Sequence, residues 1–296
     1  MNGIINIYKE KGYTSFDVVA KMRGILKIRK MGHTGTLDPD ATGVLPVCIG
    51  NGTKLVEMFA DHTKEYIAEL QLGVCTDTQD MTGTILKEAP VEVTEEEVRE
   101  AVKSFVGEYM QIPPMYSAVK VDGKKLYELA RSGKEVERKA RPVQFHEIEV
   151  LSVELPIVKM RVVCSKGTYI RTLCNDIGDK LGCFGAMKSL IRTKVGNFTI
   201  EHAVTLEALE AHRDAGTLSE VLVLADSVFA DLQAVHAKEE FVRLLDNGNA
   251  VYPNMLLNPP FMKDGEQVRM YGQDKFYGVF QFVKSEHKLK PVKMFL

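Results

Sequence analysis

Residues 32–43 read GHTGTLDPDATG, with three glycines, three threonines and two acids around a single histidine, His33. So small and polar a stretch cannot build a core, and its chemistry must lie in its turn or its charges. Three readings fit. Asp38-Pro39 reads first as a helix N-cap with Pro at the opening helical position, where Gly32, Gly35 and Gly43 supply positive-φ bends and His33 is a satisfied turn histidine. A glycine-rich phosphate cradle fails on spacing, since neither GxxxxGK[ST] nor GxGxxG is present and an acid in mid-loop repels phosphate. In the third reading the turn pushes the Asp38 carboxylate toward a substrate, thin glycine backbone and His33 framing the mouth; such a carboxylate acts as a nucleophile or stabilises an oxocarbenium-like centre. Spacing alone ranks the N-cap first.

A second stretch carries charge. Between Gln111 and Arg141, residues 119 to 141 hold Lys120, Lys124, Lys125, Arg131, Lys134, Arg138, Lys139 and Arg141 against Asp122, Glu128, Glu135 and Glu137, a net of plus four in a chain whose total is -2. A solvated helix face explains such a run as readily as a ligand does. Gly123 and Gly133 bracket KKLYELARS, a short helix that presents cations and Tyr127 on a hinged segment, and phosphate contacts with stacking suit looped or single-stranded RNA. Asp77 and Asp80 in CTDTQD invite a paired-carboxylate reading, but a polar turn near the RNA is preferred.

The elements that must position these residues are mixed. GIINIY, YIAELQLG, VQFHEIEVLSVEL and VKMRVVCSKG read as strands, TEEEVREAVKSFVG and TYIRTLCNDIGDKLG as helices, without a regular βαβ beat. An α+β architecture with a mixed, largely antiparallel sheet flanked by helices follows. The text from EHAVTLEALEAH to VLVLADSVFADL reads as helical; after about residue 233 it changes to KEEFVRLLDNGNAV and then Pro, Gly and short strand runs, YGQDKFYGVFQFV and LKPVKMFL. The expected division is a main domain over 1–232 and a small β-rich module over 233–296.

At 296 residues and 45% hydrophobic, with 38 basic against 40 acidic residues, the composition is that of an ordinary globular protein. The near-neutral total neither advertises nor excludes nucleic acid. Five cysteines with no CxxC pair suggest neither a disulfide framework nor a zinc knuckle, so a reducing cytoplasm is expected. No export signal is read at MNGIINIYKEKGYTS and no apolar run reaches membrane-span length, so no membrane association is expected.

GHTGTLDPDATGVLPVCIG resembles the signature of the tRNA pseudouridine-55 synthase, or TruB, family almost residue for residue, and the family aspartate falls on Asp38. Five further blocks follow in family order: YKEKGYTSFDVV, TKEYIAELQLGVCTDTQDMTG, QIPPMYSAVKVDGKKLYELARSG, CSKGTYIRTLCNDIG and LIRTKVGNF. Together they span about residues 3 to 198. One departure is visible: the first block usually reads Lys-Pro, and here Lys9 is followed by Glu10, which touches the local turn around Lys9.

The resemblance implies the pseudouridine synthase fold and the isomerisation of a uridine in the T loop of tRNA: the N1 glycosidic bond breaks, the base turns and rejoins the sugar through C5. No group is gained or lost, so no cofactor, metal or ATP is implied. The target is stacked in a folded loop and must be flipped into a pocket. By resemblance Asp38 acts at the sugar or base, Arg171 holds it charged as a guanidinium partner, and Tyr66 lies against the flipped base and takes the C5 proton. His33 fills the space that the displaced nucleotide leaves, Lys9 supports the pocket, and Leu190 packs beside the base. The 111–141 segment, with Lys120, Lys124, Lys125 and Arg131, corresponds to the family's RNA-gripping insertion, expected to order on the T arm. The C-terminal module resembles a PUA domain, which contacts the acceptor stem. No obligate protein partner is implied and a monomer is expected. Two other functions stay open. One is the catalytic subunit of a guide-RNA-dependent pseudouridylation particle, whose chains carry longer, lysine-rich termini not seen here. The other is an RNA-binding tRNA-folding helper.

Overall fold

The structure is a computed structural model that describes residues 1–121 and 123–296. Asp122, one of the acids of the basic segment, lies outside the described residues.

The chain opens with β1 (Gly3–Lys9), α1 (Ser15–Leu26), β2 (Met31–His33) and β3 (Thr42–Ile49). Thr14 and Asp17 start α1 with a capping box, each side chain accepting from the other's backbone N–H. A short α2 (Val56–Ala60) leads into β4 (Lys64–Leu72), whose strict in–out alternation buries Tyr66, Ala68, Leu70 and Leu72 on one face. The hairpin β5 (Val74–Thr76) and β6 (Ile85–Glu88) precedes α3 (Glu95–Lys103) and β7 (Gly107–Gln111). The basic segment follows as β8 (Lys120–Val121), β9 (Lys124–Lys125) and α4 (Leu126–Arg131). Then come the long strands β10 (Arg141–Glu154) and β11 (Ile157–Cys164), α5 (Ile170–Lys180), β12 (Gly185–Val195) and β13 (Phe198–Thr199). After α6 (Leu206–Ala215) and β14 (Leu222–Leu224) the chain forms β15 (Gln233–His236), α7 (Val242–Asp246), β16 (Gln267–Gly272), β17 (Lys275–Val283) and β18 (Lys288–Met294).

Ten strands form one mixed sheet in the order β14-β1-β3-β12-β4-β11-β10-β7, with β2 on β3 and β13 on β12. Every pairing in it is antiparallel except β12 with β3, which run parallel where Ile191 and Arg192 meet Thr42 and Gly43. The expected α+β class and largely antiparallel sheet are observed. The main core lies between β4, β11 and β12 and the helices α3 and α5, with Ile170, Leu173, Cys174 and Ile177 forming the inward stripe of α5. A Cβ at Gly178 of α5 would fall 2.1 Å from Gly185 N, so glycine lets the helix lie backbone to backbone on β12. That contact fixes the height at which α5 presents Arg171, two turns earlier.

A separate four-stranded sheet, β15-β16-β17-β18, has its own core of Val235, Leu245, Met270, Phe280 and Leu289 among others. Phe295 packs back among Ile4, Leu55 and Phe59, and its carbonyl accepts from Asn51 Nδ2 at 3.1 Å. Among the described residues no helix is long and apolar enough to cross a membrane.

Two sequence expectations are corrected. VLVLADSVFADL is not helical: Leu222–Leu224 pairs antiparallel with Gly3–Ile5 of β1, and a short 3₁₀ turn covers Ser227–Phe229. The free edge of β1 outcompetes helix propensity in a Leu-Val-Leu run with no polar face. Nor does Asp38-Pro39 start a helix. Ala41 N donates to Asp38 O at 3.1 Å, closing a turn that runs straight into β3. The Pro39 carbonyl that a helix would use is taken by Gly12 N and Lys9 Nζ, each at 2.9 Å.

Candidate active site

Asp38 sits in the turn between β2 and β3, and that turn is tied down on three sides. Ser15 Oγ, buried at the start of α1, accepts from Leu37 N at 2.9 Å and donates to Leu37 O at 3.3 Å. Lys9 and Gly12 hold the Pro39 carbonyl. From β12, the fully buried Arg192 guanidinium donates to Val44 O at 2.7 Å, Gly35 O at 3.1 Å and Thr36 O at 3.5 Å. Gly43 has φ +104°, and a Cβ there would fall 2.2 Å from Arg192 O, so only glycine permits the parallel approach of β12 that brings this guanidinium in. The 41% exposed Asp38 carboxylate is therefore held, not adrift.

Its partner is Arg171. Nε lies 3.1 Å from Asp38 Oδ2 and Nη2 lies 3.5 Å from Oδ1, a two-point fork on one carboxylate. The same guanidinium donates to Thr78 O at 3.2 Å and Tyr116 O at 2.9 Å, and Nη1 lies 3.6 Å from Asp80 Oδ2. Asp80 is in turn fixed by Thr78 Oγ1 at 2.8 Å and by Thr82 N and Oγ1 at 3.0 and 2.5 Å. One cation thus joins two carboxylates and the first turn of the basic segment. Burial pushes the Asp38 carboxyl above its ordinary value, Arg171 opposes this, Asp80 adds to the rise, and Lys9 pulls down. The carboxylate is left more basic than one in water.

Tyr66 on β4 is paired in register with Arg192 on β12, and Leu190 with Ala68, so both side chains reach the core face beside Leu37. Burial raises the Tyr66 phenol, while the neighbouring Arg192 favours its ionised form. His33 lies in β2 with a buried, unpartnered Nδ1, and burial first, then Arg192, lowers its pKa, so the ring is neutral at pH 7. Lys9 is fully buried; desolvation lowers it to about 8 although Asp38 and Asp40 favour its charge.

A lowered lysine penalises the folded state most below its folded pKa, and the penalty fades as pH rises from about 8 toward the unfolded value of 10.5. Lys9→Met removes that pH dependence. Wild type is expected to gain stability on the variant by up to about 2 kcal/mol between about pH 7 and about pH 10, read by denaturant unfolding. A constant difference over that range contradicts a buried, titrating Lys9.

Arg171, Lys9 and Tyr66 are brought to Asp38, Leu190 packs in the same core as Tyr66 and Leu37, and His33 is tied to the group through Arg192. Lys120, Lys124, Lys125 and Arg131 are not: they lie on β8, β9 and α4, where Lys125 Nζ and Arg131 Cζ stand 5.4 and 5.5 Å from the Tyr127 ring centre. That segment reaches the site through backbone, by the Tyr116 carbonyl on Arg171. Sequence reasoning missed Arg192 as the clamp and Asp80 as the second acid on Arg171. The available signal was parity, because Arg192 shares the inward strand face with Leu190, and an arginine there needs internal acceptors. Two cavities of about 450 and 490 Å³ lie elsewhere, against α3 and β10 and around Lys64 and Arg161. Charge geometry, not cavity size, singles out Asp38.

The profile of the TruB family pseudouridylate synthase N-terminal domain matches residues 23–170, and that of the tRNA pseudouridylate synthase B C-terminal domain matches residues 171–230. The chain belongs to the TruB family of pseudouridylate synthases. TruB-family relatives named tRNA pseudouridine synthase B include those of Lachnoclostridium phytofermentans, 51% identical over the full length of both chains, and Clostridium tetani, 48% identical over 98% of each. Among solved structures, the fold resembles a chain in an H/ACA RNP bound to a substrate RNA containing 2'-deoxyuridine, at TM-score 0.71 and 26% identity. It likewise resembles one in a Cbf5-Nop10-Gar1 complex, at TM-score 0.71 and 29% identity. Each covers 99% of this chain, and this chain covers 85% of each. A TruB-family member is a pseudouridine synthase, an isomerase.

Proposed function

We propose that the chain converts uridine 55 in the T loop of tRNA to pseudouridine, with Asp38 as the acting carboxylate and no cofactor. The observation that carries this reading is the Arg171 fork on Asp38, a carboxylate both anchored and open to solvent beside an apolar wall of Tyr66 and Leu190. The uridine leaves its stack and enters against that wall, and His33, neutral and with Nδ1 unpartnered, stands at the vacated place. The N1–C1′ bond breaks with its electron pair going to the base; the base turns, C5 bonds to C1′, and the C5 proton is lost while N1 gains one. Asp38 serves the sugar or base while that bond is broken. Tyr66, once its own proton has passed to solvent, takes the C5 proton; burial opposes that ionised form and the Arg192 guanidinium beside it favours it.

The 111–141 segment grips the T arm and shares Arg171 with the site through Tyr116 O. Residues 233–296 form a PUA-like unit for the acceptor stem. High identity to chains named for tRNA, against 26–29% to the particle subunits, favours a tRNA substrate taken without a guide. The test is the purified chain alone with an unmodified tRNA transcript, followed by mapping of pseudouridine along the RNA. One modified residue, position 55, is expected. Modification elsewhere, or only when a guide RNA is added, overturns the proposal.

A further inference from the structure

Between Asp17 and Asp38 lie twenty residues with five cations, Lys21, Arg23, Lys27, Arg29 and Lys30, and no acid, in a chain where acids outnumber bases. A solvated surface ordinarily mixes both signs; past Asp17 this stretch does not. Lys21, Lys27, Arg29 and Lys30 are exposed and Arg23 is half-buried. Among the described residues none of the five lies within 4 Å of a carboxylate oxygen. Their polar contacts are neutral: Lys21 Nζ donates to Tyr13 OH at 2.6 Å, Arg23 Nη2 to Met31 O at 3.5 Å, and Lys30 Nζ to Asn51 Oδ1 at 3.3 Å. Asp17, the nearest acid in sequence, spends Oδ2 on Thr14 N and Oγ1.

The position of the patch gives it meaning. Phe16, Ala20 and Arg23 recur at helical spacing along one side of α1, and Lys27 caps its C-terminal end. Ser15, one residue before Phe16, is bonded to Leu37, one residue before Asp38. The row therefore starts at the catalytic turn and runs away from it for about 16 Å, the length of about five phosphates on one strand. Phe16, 66% exposed, stands at the end nearest the turn. A single exposed aromatic is ordinary; one at the head of an acid-free basic row is placed for the ribose or base next to the extruded nucleotide.

We propose that α1 and the 27–30 loop are a second RNA track, separate from the 111–141 segment, along which the phosphate backbone of the helical stem lies as its loop nucleotide enters the site. This rests on the reading of the chain as an enzyme that acts on uridine in folded RNA. The contact is electrostatic and distant from the reacting atoms, so it governs affinity and its salt dependence, leaving turnover at saturation unchanged.

The test uses the full chain and an unmodified tRNA transcript, measuring Kd from about 50 to about 200 mM salt and the rate at saturating RNA. Lys27→Gln/Arg29→Gln/Lys30→Gln removes three cations that the site does not use. It is expected to weaken binding about tenfold or more and to reduce the slope of log Kd against log salt by about 2 to 3, with kcat intact. The charge-keeping set Lys27→Arg/Arg29→Lys/Lys30→Arg should restore both, which excludes a folding defect. An unchanged slope overturns the proposal, whether affinity is kept or lost, and leaves the patch to some other partner. If wild type itself forms no pseudouridine on the tRNA, the functional reading fails; if wild type turns over and only the variant's slope stays put, this inference alone fails.

Discussion

Asp38→Asn is expected to bind tRNA within about twofold of wild type and to lose turnover by about 10⁴-fold or more, read as pseudouridine formed in a single turnover. Asparagine keeps the shape and one oxygen for the Arg171 fork, so the turn, its Ser15 and Lys9 anchors and the apolar wall remain. Only the negative charge goes. Because burial and Asp80 push the Asp38 carboxyl upward, the folded state resists that charge, and the variant should unfold at a temperature no lower than wild type. Loss of turnover with equal or higher stability separates a functional carboxylate from a structural one. A lowered melting temperature with proportionate loss of binding would return Asp38 to the role of a turn former.

Arg171→Leu is expected to lower kcat by about 10²- to 10³-fold. The leucine leaves Asp38 and Asp80 facing each other without their cation, and the Thr78 and Tyr116 carbonyls without a donor. Losing the guanidinium leaves the largely buried Asp80 carboxylate without its cation and destabilises the fold, so the gentler Arg171→Lys is needed beside it. Lysine keeps the charge but cannot form the fork. Its kcat should fall while Kd for tRNA changes little. A loss confined to affinity would assign Arg171 to RNA binding through the 111–141 segment, not to the carboxylate.

Composition marks the turn that holds Asp38, whereas Arg171, Tyr66, Leu190 and Lys9 take their roles only from the family resemblance. GHTGTLDPDATG is too poor in apolar residues to build a core, so it reads as a turn with Asp38 as its central charge. Yet its spacing is equally that of a helix start. The difference lies in Lys9, Gly12 and Arg192, residues 26 to 154 positions from Asp38, which take the carbonyls a helix would need. Local sequence cannot report such remote donors. Asp80 was seen as an acid in a polar turn, but its closeness to Arg171 depends on β4, β5 and α5 meeting in space. The fold class followed from strand and helix runs with clear periods, such as the alternation of β4. Leu222–Leu224 was misread because three apolar residues carry no period, and the vacant edge of β1 decided their state.

The claim on which the rest depends is that Arg171 keeps Asp38 ionised against burial and against Asp80. The direct measurement is the single-turnover rate of pseudouridine formation at saturating tRNA across the acid range, for wild type and Arg171→Lys. A carboxylate that must be charged gives a rate that rises with pH and then levels. Weakening the fork that lowers its pKa should move that rise to higher pH and lower the plateau. An acid limb that stays in place, with only the plateau changed, contradicts an ionised Asp38 held by Arg171.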